Sequence, residues 1–300
     1  VPGDAEGRNI AYAFVRDVSS ARPEGSWAAR FTSEAPTRGD LRIHALAELG
    51  TEVLQARAPS LRRAGSDDSK LDSFTMPMLI ARREGSALSS TFATVLEPTD
   101  GRPFLRSVDR PKPDEGRPGD LVVKITWEGG VDTLLIAADP AGSTIRLGDL
   151  VMQGRVGFVR ERDGAIERTT LVGGDRLKTA GGELKGQGIV RGQVVGVLRK
   201  ARGAALDGLV VDGPLPDAGS VKGRTVVVSD AEGFTHGHKV AGIAEHEGKP
   251  VLILADDPAF EIDEKGVSRH AYFPSRSWSG ANRFEIATVA SDSGGRGRGE

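Results

Sequence analysis

The sequence contains no cysteine in its 300 residues, which excludes disulfides, thiolate metal ligands and thiol chemistry. It has no apolar run of about 18 residues, the length of a membrane-spanning helix, and no basic-then-apolar start typical of a signal peptide. Lysine and arginine, 40 together, nearly balance 42 aspartates and glutamates, and the net charge is -2. That balance argues against a nucleic-acid partner held by bulk electrostatics. We therefore expect neither nucleic-acid nor membrane binding.

Long helical periodicity is also missing. Short apolar alternations, 40 glycines and turn signals at the spacing of a sandwich indicate strands instead, and a hydrophobic content of 38% suffices for a core. The predicted fold class is all-β, a large antiparallel β-sandwich followed by a smaller β unit. The predicted strands cover residues 10–18, 26–32, 40–46, 51–58, 104–108, 121–127, 131–137, 155–162, 165–172, 188–200, 224–228, 238–244, 250–254 and 284–289.

Two proline-containing breaks divide these strands. Residues 212–217 carry two prolines and two aspartates around a glycine, which predicts a domain boundary, and residues 110–119 predict a crossing between sheets. The expected domains are a large sandwich over 1–216 and a small β domain over 217–290. Residues 291–300 have no apolar side chain, so we expect a disordered tail. The start without methionine suggests a piece of a longer protein.

The clearest strand-turn-strand signal runs from Met76 to Pro98. In its second arm, alternation places a large apolar set on one face: Leu88, Ser90, Phe92, Thr94 and Leu96. We expect that face, and Phe92 in particular, to lie in the core. The dipeptide Asp163-Gly164, between the predicted strands 155–162 and 165–172, predicts a type I′ hairpin turn.

Two motifs resemble a known family. The run Leu79-Ile80-Ala81-Arg82-Arg83 through Ser90-Thr91-Phe92-Ala93-Thr94-Val95-Leu96-Glu97-Pro98 is similar to a strand of the C-terminal β-sandwich of heparinase II/III-like polysaccharide lyases. Tyr272-Phe273-Pro274-Ser275-Arg276, followed by Gly280-Ala281-Asn282, is similar to a second segment. The resemblance covers most of the chain, and neither motif is catalytic.

The resemblance implies a parent enzyme that cleaves uronic-acid-containing polysaccharides by β-elimination, in the periplasm or outside the cell. The family's catalytic asparagine, tyrosine and histidine are carried mainly by an N-terminal α/α toroid, which this chain does not contain. The implied partners are that toroid and an acidic polysaccharide, and the chain alone should be inactive. The alternative is a stand-alone carbohydrate-binding or cell-surface scaffolding β domain.

The resemblance also points to substrate-binding residues. The family pattern G-G-x-x-H-D-[YW]-x-x-H is similar to the stretch over residues 22–30, where the aromatic is Trp27, both histidine positions are replaced, and the second of them holds Arg30. Trp27 could stack on a sugar ring and Arg30 could pair with a carboxylate or sulfate. Trp27 could equally be a core aromatic of the sandwich.

No other residue is predicted to carry chemistry, and no catalytic residue, metal or cofactor is expected. His236 and His238 would face one side of a strand, but without a third ligand nearby exposed turn histidines are favoured over a metal site. His44 reads as a half-buried strand histidine on the face of Arg42, and His270 borders a hairpin. A structural role is favoured for the two tyrosines, Tyr12 and Tyr272.

Overall fold

A computed structural model describes residues 14–33, 39–46, 48–60 and 68–293. Antiparallel strands dominate them, which confirms the all-β class. Among the described residues, the helical elements are α1 (Ala218–Val221) and two 3-10 turns, Asp68–Ser73 and Lys200–Arg202. Within these ranges, no helix is long and apolar enough to cross a membrane.

The chain divides into two compact units, residues 1–110 and 111–300. The first unit contains two three-stranded antiparallel sheets, in the orders β1-β4-β5 and β2-β3-β6. Its strands are β1 (Arg16–Ala21), β2 (Trp27–Thr32), β3 (Asp40–Leu46), β4 (Glu52–Pro59), β5 (Thr75–Arg82), β6 (Ala93–Thr99) and β7 (Leu105–Asp109).

The second unit begins with a two-sheet sandwich. Its strands are β8 (Leu121–Trp127), β9 (Gly130–Ile136), β10 (Ser143–Leu147), β11 (Leu150–Gly154), β12 (Val156–Arg162), β13 (Ala165–Val172), β14 (Arg176–Thr179) and β15 (Gly182–Lys185). Strands β13-β12-β9-β8 form one sheet and β10-β11-β14-β15 the other. The core contains seven buried side chains from both sheets: Val122, Leu135, Ile145, Met152, Val159, Leu171 and Leu177. The two sheets thus bury their apolar faces against each other.

A closed six-stranded barrel follows, in the order β16-β17-β20-β19-β18-β24. Its strands are β16 (Ile189–Leu198), β17 (Gly208–Asp212), β18 (Thr225–Ser229), β19 (Thr235–His246), β20 (Lys249–Leu254) and β24 (Asn282–Ala287). The register shifts once in β16, at Val194–Gly196, and once in β19, at Val240–Gly242. Such bulges bend long strands, which a closed sheet requires.

Three short strands and one last strand complete the second unit. A small sheet contains β21 (Phe260–Ile262), β22 (Ser268–His270) and β23 (Ser277–Trp278), and Phe260 and Trp278 belong to the barrel core. β25 (Val289–Ser293) leaves the barrel and pairs with β13 of the sandwich.

The strand predictions agree closely with the structure where the pattern is local. The predictions for β3, β8 and β13 match residue for residue, and most others differ by one to three residues. Asp163 and Gly164 both adopt positive φ, 51° and 78°, as the predicted hairpin turn requires.

The predicted hairpin between Met76 and Pro98 is wrong. β5 pairs with β4 and β6 pairs with β3, so the two arms belong to different sheets, and residues 83–92 form no strand. Phe92 is 54% exposed and Leu96 58% exposed, so the large apolar face is not the buried one. The opposite face of β6 is half-buried, and its Glu97 is fully buried where the chain after β6 turns back over it.

The division between the units also differs from the prediction. It falls at Arg110–Pro111, at the start of the predicted sheet crossing. The predicted boundary at residue 216 falls within the stretch of chain that forms the barrel, because β17 before it pairs with β20 after it. A proline-rich turn between barrel strands and one between domains look alike in sequence, because each only interrupts a strand.

The disordered tail is wrong for residues 291–293, which end β25 opposite β13. Backbone pairing needs no apolar side chain, and the Thr170 and Ser291 hydroxyls lie 3.1 Å apart across the two strands. Residues 294–300 and the start of the strand predicted over 10–18 lie outside the described ranges.

The barrel core predicts a contrast between two phenylalanines of the second unit. Phe284 is 3% exposed, and its ring lies so close to Gly192 that a Cβ there would be 2.6 Å from it, whereas Phe273 is 97% exposed. Phe284→Ala should lower the free energy of unfolding by about 3–5 kcal/mol. Phe273→Ala should change it by less than about 0.5 kcal/mol. Urea unfolding of both variants checks this, and equal effects would contradict the assigned core.

Candidate functional site

Strand β3 is the middle strand of the sheet β2-β3-β6 in the first unit. One face of this sheet carries polar side chains. Antiparallel register places Arg30 of β2, Arg42 of β3 and Glu97 of β6 in one row across the sheet. His44 lies two residues beyond Arg42 and so faces the same side. Asp40, two residues before Arg42, faces this side as well. Three basic side chains and two carboxylates therefore lie on one face of the sheet, which we call the Arg42–His44 face.

Glu97 is fully buried and makes three hydrogen bonds. One carboxylate oxygen, Oε1, accepts from the backbone N–H groups of Phe104 at 2.7 Å and Leu105 at 2.9 Å. The other, Oε2, lies 2.8 Å from His44 Nε2. The glutamate thus joins β6, β3 and the start of β7.

These hydrogen bonds keep Glu97 ionised. Burial by itself would raise the pKa of the Glu97 carboxyl, but the hydrogen bonds from Leu105, His44 and Phe104 outweigh burial and hold the pKa below its ordinary value. An ionised carboxylate only accepts hydrogen bonds, so we assign the proton of that contact to His44 Nε2. In the neutral imidazole, Nδ1 is then the free acceptor.

Arg42 is half-buried and has no counter-ion in the described part of the chain. Its Nε atom is shielded from solvent and makes no hydrogen bond there. Arg30 differs, because its guanidinium pairs with Asp40, and Nε donates to Asp40 Oδ2 at 2.9 Å. A buried guanidinium nitrogen without an acceptor is costly, so the Arg42 position favours an anion from outside the described residues.

Together these side chains can bind an anion and exchange a proton with it. Arg42 supplies a permanent positive charge with a planar set of donors. His44, whose side chain is 21% exposed, can accept a proton at Nδ1 or donate one there after protonation, while Glu97 fixes the ring. Carboxylate and sulfate groups fit such a site.

Trp27 and Arg30 lie on opposite faces of β2, because they are three positions apart and successive side chains of a strand alternate between its faces. The half-buried Trp27 lines an apolar gap of about 220 Å³ between the two sheets, together with Ile43, Ala45 and Leu79. Its indole Nε1 is buried and has no partner among the described residues. These contacts fit the core role that was left open for Trp27.

One cavity nevertheless includes both predicted residues. It has a volume of about 480 Å³ and runs along the free edge of β2, where Trp27 and Arg30 line it from the two faces. Substrate binding by Trp27 and Arg30 stays a prediction, and this edge cavity is the place where both could contact one ligand.

The tyrosines and the other histidines that the sequence singles out have separate environments in the structure. Tyr12 lies outside the described residues, and the Tyr272 hydroxyl donates to Asp257 at 2.8 Å, a structural contact. His238 is buried, with Nδ1 3.1 Å from Asp256, whereas His236 faces His270. His236 and His238 therefore do not share a ligand position. Across the described ranges, no group of three or more His, Asp or Glu side chains is arranged to hold a metal ion.

Sequence reasoning missed the contact between His44 and Glu97. The face and half-burial of His44 were predicted correctly, but its partner lies 53 positions away and depends on the pairing of β3 with β6. The available signal was Glu97 itself, a charged residue on the same strand face as Ala93 and Val95. A glutamate that continues a face of small apolar residues needs a buried partner.

Comparison with protein-family models finds no match for this chain, and comparison with curated proteins also finds none. The resemblance to heparinase II/III-like lyases therefore stays a prediction.

The buried carboxylate predicts a pH-dependent effect of Glu97→Gln. Folding lowers the pKa of Glu97, so ionised Glu97 stabilises the fold at pH values above its ordinary pKa of 4.5. This stabilisation is lost as the pH falls through the lowered pKa of the folded state. The variant should lose about 1–3 kcal/mol of unfolding free energy at pH 7, and less in acid.

Urea unfolding at pH 7 and at lower pH measures this difference. Glu84→Gln is the matched control, because the Glu84 side chain is 77% exposed and should contribute less than about 1 kcal/mol. A Glu97→Gln effect that stays constant with pH would show that charge is not involved.

Proposed function

We propose that this chain binds acidic, uronate-containing polysaccharide, as the β-sheet part of a heparinase II/III-like polysaccharide lyase, and has no lyase activity alone. The observation that carries the binding proposal is the half-buried Arg42 guanidinium, which has no anionic partner in the described part of the chain and lies beside His44. The two sequence motifs support the assignment to the lyase family.

The Arg42–His44 face suits a sugar carboxylate better than a neutral sugar. Arg42 can donate two parallel hydrogen bonds to a carboxylate, and His44 Nδ1 can donate a third when the ring is protonated. Asp40 is paired with Arg30 and Glu97 contacts His44, so the Arg42 guanidinium is the charge on this face that has no ion pair in the described part of the chain. An anionic ligand would compensate it.

The chemistry of β-elimination explains why we expect no lyase activity from this chain alone. That reaction needs a base on the proton next to the carboxylate and a proton donor for the leaving oxygen. His44 is a single candidate base, and the family resemblance assigns the main catalytic residues to a toroid outside this chain. Binding without turnover is the expected behaviour.

The binding proposal predicts that Arg42→Gln combined with His44→Gln weakens binding to polygalacturonate, alginate and heparin by at least about tenfold. Each lost charged hydrogen bond is worth roughly 1.5–3 kcal/mol, and tenfold corresponds to about 1.4 kcal/mol. Affinity of the unmodified chain should fall with added salt, and neutral dextran should not bind.

Two controls make this binding experiment decisive. Arg57→Gln removes an exposed arginine of the other sheet, bonded to Thr75, and should leave affinity unchanged. Trp27→Ala tests the edge cavity. Unchanged affinity in the folded Arg42–His44 double variant, or a loss confined to Trp27→Ala, would contradict the proposed face.

The second part of the proposal predicts no release of unsaturated sugar from any of these polysaccharides by the purified chain. Ultraviolet absorbance of the unsaturated product measures this directly. Product formation by the chain alone would overturn the non-catalytic assignment while leaving the binding face intact.

A further inference from the structure

Two histidines meet at one end of the barrel in the second unit. His236 belongs to barrel strand β19 and His270 to strand β22 of the small sheet. Their Nε2 atoms lie 3.3 Å apart, and the two rings are nearly perpendicular, at 81°. Both side chains are half-buried, so the pair is reachable from solvent.

Aromatic side chains hold both rings in place. His236 stacks on Phe260 at an interplanar angle of 19°, and His270 contacts the edge of Trp278 with ring centroids 5.0 Å apart. Trp278 is itself fixed, since its Nε1 donates to Asn282 at 2.8 Å, and Phe260 and Trp278 are almost fully buried. The pair is therefore pre-organised by the barrel core.

The separation of the two nitrogens fits coordination of one metal ion. Imidazole nitrogens bind Zn²⁺ at about 2.0–2.1 Å, and two such bonds at a tetrahedral angle place the nitrogens roughly 3.3–3.4 Å apart. The alternative is an N–H···N hydrogen bond, which uses the same two atoms and the same distance.

The surroundings of His236 favour the neutral form of its ring. Burial lowers the pKa of His236, and the neighbouring His270 and His238 lower it further, against an opposite effect of Asp230. Arg276 also lies close, but its charge is balanced by Asp230 at 2.9 Å and Glu232 at 2.5 Å. A metal ion binds the neutral form of imidazole, so this environment of His236 is compatible with the coordination that the geometry of the two rings allows.

Other polar groups near the pair are already engaged or buried. His238, two residues along β19, contacts Asp256 through Nδ1, and its Nε2 is buried without a partner among the described residues. Within the described ranges, no third protein ligand is in place. An ion on His236 and His270 would complete its coordination with water, as open metal sites do.

We propose that His236 and His270 form a two-imidazole binding site for a divalent ion that prefers nitrogen ligands, with Zn²⁺, Ni²⁺ and Cu²⁺ as the fitting class. Hard ions such as Mg²⁺ prefer oxygen ligands and should not bind. The site connects the barrel to the small sheet, so an ion there would join the two elements.

Isothermal titration of the whole purified chain with ZnCl₂ tests the proposal. We expect one saturable site at pH 7, at least a tenfold loss of affinity in His236→Gln and in His270→Gln, and weaker binding at pH 5.5 as protons compete. His246→Gln, an exposed histidine at the end of β19, should retain the site, as should His44→Gln, and MgCl₂ should give no binding.

Nitrogen NMR spectra of the histidine side chains in the unmodified chain provide a second measurement, which does not depend on the folding of a variant. Zinc should shift the Nε2 signals of His236 and His270 and leave those of His44 and His246 unchanged. Absence of saturable zinc binding, or shifts confined to other histidines, would overturn the site and leave only a hydrogen bond between the two rings.

Discussion

The ionised Glu97 carboxylate is the constraint on which the first unit depends. A buried charge costs several kcal/mol unless it is paired and hydrogen-bonded. Glu97 meets that requirement with one histidine and two backbone N–H groups from the chain that follows β6. Through these hydrogen bonds, Glu97 holds both the return of the chain over the sheet and the orientation of His44.

Local patterns predicted many of the strands but missed β10, β11, β14, β15 and β17, and non-local pairing was beyond them. Alternation and turn residues suffice to place β3, β8 and β13, because both signals lie within the strand itself. The pairing of β5 with β4 rather than β6 depends on residues far apart in sequence. The turn at residues 212–217 resembles a domain boundary in sequence, because the pairing of β17 with β20 that makes it part of the barrel also joins residues far apart in sequence. Short strands such as β21 to β23 carry too few residues to show a period.

The candidate site shows the same limit. Arg42 and His44 sit on one face by simple alternation, and the sequence alone places them there. What makes that face unusual is the buried Glu97 beside it and the lack of an anion near Arg42 within the described ranges, and both depend on the register of three strands. The predicted pair of Trp27 and Arg30 came from the family pattern and not from alternation, which puts the two on opposite faces of β2.

Closure of the barrel has a consequence for the order in which the protein assembles during synthesis. Strand β24 lies between β16 and β18, and the next strand, β25, extends the sandwich by pairing with β13. A ribosome that has made residues up to about β20 has therefore exposed open edges in both the barrel and the sandwich. Both are covered only when a segment of a dozen residues emerges, so folding of the second unit waits for its last strands.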